Sequence, residues 1–137
     1  KQLTLSWYML FHQLPRLPER LLPRLVELYW RRWSPGFDAT EDLQHVADAM
    51  FRPENRRAVI GYYRALARTG PAMRARSTAE TDILYIHGRD DGCMTAGWID
   101  PTQEMPHRQI EIVDGGGHFI QLEQPDKVYR LIRDFIG

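Results

Sequence analysis

Two short polar stretches of this sequence combine the residue types that general-base chemistry requires. The stretch HGRDDGCM, residues 87–94, holds the acid pair Asp90 and Asp91, and DGGGHF, residues 114–119, holds His118. A carboxylate beside one imidazole nitrogen fixes the tautomer of the ring and supports the imidazolium that forms during proton transfer. Glycines before a histidine permit a tight turn and leave the ring uncovered. The pattern therefore predicts an acid–histidine pair whose second ring nitrogen faces substrate or water.

Each polar stretch follows a short apolar run that has the composition of a buried strand. The runs are DILYIHG, residues 82–88, and RQIEIVDGGG, residues 108–117. The segment between them is too long for a hairpin and suits a parallel crossover. Because ligand sites in open α/β sheets lie off the carboxyl ends of the strands, we expect both polar loops at one edge of the sheet.

The last segment, PDKVYRLIRDFIG, predicts a helix that starts at Pro125. Its predicted buried stripe consists of Val128, Leu131, Ile132 and Phe135. Strand, crossover, strand and helix form the tail of a parallel α/β sheet. Two strands cannot make a stable parallel sheet, so we expect the remaining strands to lie outside this sequence.

The first 70 residues predict helices interrupted by prolines, without a clear strand. An apolar segment at 3–14 is followed by Pro15, Pro18 and Pro23, which are expected to break the chain into short pieces. Further helices are predicted at 23–33, at 41–51 with Thr40 or Asp38 as cap, and at 53–69, closed by Gly70 and Pro71.

Composition bounds the class of protein. The 137 residues are 43% hydrophobic, enough for one folded domain, and 18 basic side chains balance 18 acidic ones, which argues against nucleic-acid binding. Residues 1–76 carry 13 Lys or Arg and 7 Asp or Glu, and residues 77–137 carry 5 and 11, so the two segments have different surfaces. A single cysteine, no signal peptide and no run long enough to span a membrane together favour a reducing, cytoplasmic location.

Other chemistry-bearing residues give weaker patterns. Cys93 lacks a second histidine at a plausible strand end and is interpreted as a small buried side chain, and His87 as a packing residue at the strand end. His12, His45 and His107 have no metal-ligand spacing with one another, and RDDGCM lacks the alternating acids of a calcium loop. No metal site is therefore predicted.

The two loops, in this order, resemble the acid and histidine loops of the α/β-hydrolase superfamily. The likeness lies in ILYIHGRDDGCM followed by IEIVDGGGHFIQLEQPDKV. In the superfamily the acid comes three residues after a glycine, which selects Asp91 after Gly88, and the histidine of the Gly-His pattern is His118. The resemblance implies that the chain is the C-terminal half of an α/β-hydrolase fold: a helical lid followed by strand, helix, strand and helix of a parallel sheet, an incomplete domain.

In this superfamily a lid precedes the penultimate strand, so the resemblance implies a lid at 1–60 and the C-terminal part of the core at 61–137. SWYMLFHQLP is similar to the first lid helix of the epoxide hydrolase branch and puts Tyr8 at the position of its tyrosine. GYYRAL resembles the return of that lid and gives Tyr63 as the second tyrosine, although His12 replaces an aromatic residue of the branch. The resemblance implies that both phenols donate hydrogen bonds to the epoxide oxygen as it becomes an alkoxide.

The implied activity is that of an epoxide hydrolase without metal or organic cofactor. An Asp nucleophile, absent from this chain, attacks the epoxide, His118 activates the water that hydrolyses the ester, and Asp91 orients His118. The expected partners are a small apolar substrate, either an epoxide or an ester, and an N-terminal half of the domain that supplies the nucleophile elbow and the His-Gly-x-Pro loop.

Three alternatives remain open. A haloalkane or haloacid dehalogenase of the same branch would use Trp or Asn as halide donors, and Trp7 and Trp98 keep that reading open. A serine esterase would need a Ser nucleophile. A non-catalytic half would instead dock onto an N-terminal partner through the sheet edge before Ile83.

Overall fold

A computed structural model describes residues 7–69, 81–98 and 107–137. Four helices come first: α1 (Trp7–Phe11), α2 (Leu17–Trp33), α3 (Thr40–Phe51) and α4 (Pro53–Thr69). Strands β1 (Ile83–Gly88) and β2 (Arg108–Val113) follow, with a 3-10 turn at Ala96–Trp98 in the described part of their connection. Helices α5 (Ile120–Glu123) and α6 (Pro125–Ile136) end the chain. Within these ranges no helix is both long and apolar enough to cross a membrane.

The chain forms two compact units. The first comprises residues 1–30 and 38–76, and the second comprises residues 31–37 and 77–137. The assignment of residues 1–60 to a lid and 61–137 to the core remains a prediction.

In the first unit, helix α2 runs through two of the prolines that were expected to break it. Pro18 lies in its first turn, where no backbone N–H is needed, and Pro23 lies inside the helix. Pro18, Leu22 and Tyr29 are buried on α2, so packing of this face outweighs the hydrogen bond lost at Pro23. The predicted break was therefore wrong. The predicted helix 53–69 is confirmed, whereas Gly70 and Pro71 and the start of the apolar segment 3–14 lie outside the described residues.

In the second unit, β1 and β2 pair in parallel, as predicted. The register runs from Ile83 opposite Arg108 to Gly88 opposite Val113. The expectation of fully buried strands was wrong, because only His87, Gly88 and Val113 are buried. These three residues lie at the carboxyl ends, so the packed part of this sheet is the part next to the polar loops.

Helix α6 begins at Pro125, as the sequence predicted, but its apolar stripe is not buried. Val128, Leu131 and Phe135 are half-buried, and Ile132 is 44% exposed. A two-stranded sheet offers too little apolar surface to cover a helix of 12 residues.

Candidate active site

The parallel pairing brings the two polar loops to one edge of the sheet. Gly88 and Val113, the last residues of the strands, are register partners, so the acid loop and the histidine loop start side by side. Backbone hydrogen bonds then join the loops: the N–H of Arg89 donates to the Val113 carbonyl and the N–H of Asp90 donates to the Gly116 carbonyl, both at 2.9 Å. The two loops are therefore held in one fixed arrangement.

Within this arrangement Asp91 and His118 are in hydrogen-bond contact. Asp91 Oδ2 lies 2.9 Å from Nδ1 of His118. The carboxylate side chain is 4% exposed and the imidazole 29% exposed. An ionised carboxylate only accepts hydrogen bonds, so Nδ1 carries the proton and Nε2 is left to accept one. This is the tautomer that a general base needs.

The other oxygen of Asp91 is held by its own loop. Oδ1 accepts the backbone N–H of Cys93 at 2.6 Å and that of Met94 at 2.9 Å. Burial raises the pKa of Asp91, but the hydrogen bonds from His118 and from these two N–H groups outweigh it, so the pKa lies below its usual value. Asp91 is thus kept ionised and fixed in orientation, as the partner of an imidazolium must be.

A segment far away in the sequence completes the site within the same unit. The backbone carbonyl of Trp33 accepts the N–H of Gly92 and the N–H of His118, both at 3.0 Å, and so links the two loops. The Trp33 ring contacts the His118 ring edge to face, with 5.1 Å between centroids. A side chain at Gly92 would lie 1.8 Å from the Arg32 carbonyl oxygen, and one at Gly117 would lie 2.6 Å from Ser34 Cα. The last of the three glycines before His118 therefore allows residues 33–34 to approach.

A carboxylate and a hydroxyl support the turn that carries His118. Glu123 accepts the backbone N–H of Gly117 at 2.6 Å and that of Phe119 at 3.0 Å. Ser34, which is buried, donates its hydroxyl to Glu123 at 2.6 Å and accepts the N–H of Phe119 at 3.1 Å. These bonds satisfy the donors on both sides of the histidine. No sequence pattern predicted a role for Ser34 or Glu123.

The neighbouring acid, Asp90, is exposed, whereas Asp91 is buried against His118. Residues 88–92 read Gly-Arg-Asp-Asp-Gly and so fit the letters Gly-x-Asp-x-Gly of a nucleophile elbow, with Asp90 at the centre; the expectation that this pattern is absent from the chain was wrong. An elbow presents its nucleophile on a turn from a strand into a helix. The described residues after Gly92 form bends and a 3-10 turn instead, which favours an acid loop.

His87 is buried beside the pair, where the sequence predicted a packing residue. Its ring stacks on Tyr85 with an interplanar angle of 13°. Nε2 lies 3.1 Å from the Met94 carbonyl, which only accepts, so Nε2 carries a proton and donates it there. This hydrogen bond connects His87, near the end of β1, to the acid loop.

In the first unit, the two predicted tyrosines are neighbours. Tyr8 is buried on α1, Tyr63 lies on α4, and their rings meet edge to face with 5.8 Å between centroids. Arg64, which follows Tyr63, donates to the carbonyls of His12 and Leu14 and pairs with Glu19 at 2.6 Å. These contacts join α4 to the segment that follows α1, so Tyr8 and Tyr63 lie on two helices that are held together.

His12, the residue that replaces an aromatic, is fully buried beside these tyrosines. Its Nε2 lies 3.1 Å from the hydroxyl of Tyr29, and its ring centroid lies 4.6 Å from that of Tyr63. Burial and then the charge of Arg64 hold the pKa of His12 below its ordinary value. Burial and then Tyr63 raise the pKa of Tyr29 to about 12. The sequence signals for this cluster were the apolar segment 3–14 and the predicted helix 23–33, which contains Tyr29, but neither predicted the contact between His12 and Tyr29.

Of the two tryptophans that favoured a dehalogenase, Trp7 meets the edge of Tyr29 at 6.2 Å between centroids. The side chain of Trp98 lies outside the described part of the structure.

Three curated proteins are similar to this chain over nearly all of its length. Epoxide hydrolase 3 of Xenopus tropicalis is 28% identical over 98% of the chain, and Epoxide hydrolase 1 of Caenorhabditis elegans is 25% identical over 99%. AB hydrolase superfamily protein YfhM of Bacillus subtilis is 26% identical over 96%. The chain spans 40%, 36% and 48% of the length of these relatives. No protein-family model matches the chain. No solved structure matches it either.

These relatives agree with the mixed helix and parallel-strand architecture of a partial α/β-hydrolase domain. The resemblance to the α/β-hydrolase superfamily, and to its epoxide hydrolase-like branch, is therefore confirmed.

Proposed function

We propose that this chain is part of an epoxide hydrolase that converts an epoxide to a diol through an ester intermediate. The observation that carries the proposal is the 2.9 Å contact between Asp91 Oδ2 and His118 Nδ1. Two relatives named epoxide hydrolase support the substrate class.

In the first step an Asp nucleophile, supplied by residues outside this chain, attacks one epoxide carbon. The carbon–oxygen bond breaks, an ester forms, and the electron pair moves to the epoxide oxygen. Tyr8 and Tyr63 are proposed to donate hydrogen bonds to this oxygen and to supply the proton that makes it a hydroxyl. Their rings lie 5.8 Å apart between centroids, and this proximity supports a shared role.

In the second step His118 Nε2 takes a proton from water while the water oxygen attacks the carbonyl carbon of the ester. The tetrahedral intermediate collapses and the imidazolium gives its proton to the departing alkoxide, which completes the diol. The carboxylic acid of the nucleophile loses its proton to solvent and the phenol that protonated the epoxide oxygen regains one, so the enzyme returns to its starting state. The imidazolium formed on the way is stabilised by Asp91, whose carboxylate is buried and ionised. The support that Ser34 and Glu123 give to the histidine turn holds the base in position during this step.

The proposal is tested by a single turnover of an epoxide in ¹⁸O-water by the complete protein that contains this chain. In the proposed route, the new diol oxygen comes from the nucleophile carboxylate, so the first diol formed is unlabelled. Label in the first diol would mean that water attacks the epoxide directly, and the ester route would then be wrong. A serine esterase or a dehalogenase would leave the epoxide unchanged and turn over an ester or a halide.

A further inference from the structure

Cys93 places a third metal-binding group beside the acid–histidine pair. The residue lies two positions after Asp91, is 5% exposed, and its N–H donates to Asp91 Oδ1 at 2.6 Å. One ligand atom from each of Asp91, Cys93 and His118 lies within 4.8 Å of the other two. The chain holds one cysteine, so this thiol is not in an internal disulfide.

We propose that Asp91, Cys93 and His118 form a binding site for Zn²⁺, and that occupation of this site inhibits the enzyme. Binding of the ion stands on the ligand cluster alone, whereas the inhibition rests on the proposed function. Sequence spacing did not predict this site, because the sheet edge brings His118 to the acid loop from 25 residues beyond Cys93.

The types of ligand select the ion. A thiolate and an imidazole are preferred by Zn²⁺, and a carboxylate oxygen is also a common zinc ligand, whereas Mg²⁺ and Ca²⁺ take oxygen ligands almost exclusively. Bonds of about 2.0–2.3 Å at tetrahedral angles set the ligand atoms roughly 3.5 Å apart. A separation of up to 4.8 Å must therefore shrink by about 1 Å. The imidazole, which is 29% exposed, can make this adjustment by rotation of its side chain.

The site has three protein ligands. His87 Nε2 lies 3.8 Å from Asp91 Oδ2, but that nitrogen donates its proton to the Met94 carbonyl and has no lone pair for a metal. Three ligands leave the fourth tetrahedral position to water or to a substrate atom.

A metal ion bound at either ring nitrogen of His118 prevents the imidazole from acting as a base. A metal on Nε2 takes the lone pair that would accept a proton from water. A metal on Nδ1 forces the single proton of the neutral imidazole onto Nε2, which then cannot accept another. In both cases the carboxylate of Asp91 is drawn to the metal and no longer supports an imidazolium. We therefore expect full rather than partial inhibition.

The ion binding is tested on the chain itself with Co²⁺, which adopts the coordination of Zn²⁺ and gives a near-ultraviolet absorption band when a thiolate is bound. Wild type should show this band together with the visible spectrum of tetrahedral Co²⁺, and Zn²⁺ should abolish both. Cys93→Ser should lose the thiolate band and bind at least about tenfold more weakly. Asp91→Asn should also weaken binding, whereas Asp90→Asn, the exposed neighbouring acid, is the matched control and should bind as wild type does.

Absence of a thiolate band in the folded wild-type chain would overturn the site, and so would equal weakening of Co²⁺ binding by the Asp90 and Asp91 variants.

The inhibition is tested in the complete protein, where Zn²⁺ should stop epoxide turnover and a chelator should restore it. Cys93→Ser should need at least tenfold more Zn²⁺ than wild type to lose half of its own turnover. Turnover that Zn²⁺ leaves intact would overturn the regulation, whereas a Co²⁺-binding chain whose complete protein turns over no epoxide would overturn only the proposed function.

Discussion

The hydroxyl of Ser34 donates a 2.6 Å hydrogen bond to the carboxylate of Glu123, although 89 residues separate them in the sequence. The same carboxylate accepts two backbone N–H groups of the turn that carries His118. Ser34 and Glu123 therefore contact the backbone of the histidine turn, and in this way they fix the position from which the side chain of His118 projects.

Replacement of Glu123 by Ala should destabilise the protein and slow ester hydrolysis. The change leaves the N–H of Gly117 and the hydroxyl of Ser34 without their acceptor, which costs about 1–3 kcal/mol for a buried group, whereas the N–H of Phe119 keeps the hydroxyl oxygen of Ser34. Glu123→Gln keeps one acceptor oxygen and should lose less. Thermal unfolding and turnover of the complete protein measure both effects. Asp134→Asn, which breaks an exposed ion pair, is the control and should change stability by less than about 1 kcal/mol. If Glu123→Ala is as stable and as active as wild type, the turn that carries His118 keeps its conformation without this carboxylate.

Replacement of Tyr8 and Tyr63 separates the epoxide hydrolase proposal from the esterase alternative. Tyr8→Phe and Tyr63→Phe should each slow epoxide opening, and the double variant should nearly abolish it. Loss of one donor to a developing oxyanion costs a factor of about 100 in well-measured sites. The remaining phenol can partly compensate, so each single variant should lose roughly 10- to 100-fold.

The quantity to measure in these tyrosine variants is the ratio of epoxide to ester turnover in the complete protein. Hydrolysis of an ester places its oxyanion against backbone N–H groups, so it should be nearly unaffected. Tyr62→Phe is the matched control, since that side chain is 66% exposed and should change neither rate. Full epoxide turnover in both single variants would assign the two phenols to packing.

Burial of His12 predicts that the helical unit loses stability in mild acid. The folded state holds the pKa of His12 below its ordinary value of about 6.5. As the pH falls through about 6.5, the unfolded chain therefore takes up a proton that the folded chain does not, and stability declines towards the folded pKa. The unfolding temperature of the chain, measured at one fixed concentration, should be lower at pH 5.5 than at pH 7.5.

His12→Phe, which restores the aromatic residue of the resembling branch, should flatten this pH dependence. Leu10→Ala, two residues before His12 and 78% exposed, should leave the dependence as in wild type. If His12→Phe keeps the full acid sensitivity, another group is responsible for it.

Studied by itself, the 137-residue chain should associate as its concentration rises. The sheet of the second unit has two strands in the described residues, and the adjacent helix exposes Tyr129, Ile132 and Ile136 at 65%, 44% and 74%. Open strand edges and exposed apolar side chains both favour association. Sedimentation velocity over a range of concentrations measures it. A monomer with a sharp thermal transition at every concentration would contradict this expectation.

The sequence predicted the parts of the fold and site that depend on local pattern. Apolar runs that end in glycine predicted both strands, and their separation predicted parallel pairing, which in turn brings Asp91 to His118. Pro23 was misjudged because a proline penalty is local, whereas the burial of Leu22 and Tyr29 that outweighs it is tertiary.

The contacts that sequence reasoning missed join distant segments. Ser34 and the Trp33 carbonyl reach the histidine loop from the end of the predicted helix 23–33 and the residue that follows it. Every residue type has a backbone carbonyl, so no sequence pattern could identify the carbonyl of Trp33 as the acceptor. Glu123 lies five residues after His118 in the sequence, yet its role depends on the turn whose backbone N–H groups it accepts.

The central claim is that His118, held by Asp91, activates the water that releases an ester. Attack by a carboxylate needs no base, but hydrolysis of the resulting ester does. His118→Gln in the complete protein, mixed with an epoxide and examined by intact-protein mass spectrometry, should therefore accumulate an adduct with the mass of one substrate molecule. His107→Gln, whose side chain is 51% exposed in the wild-type protein, should turn over normally and accumulate none. Continued turnover by His118→Gln, or no adduct in a folded variant exposed to substrate, would contradict the role of His118.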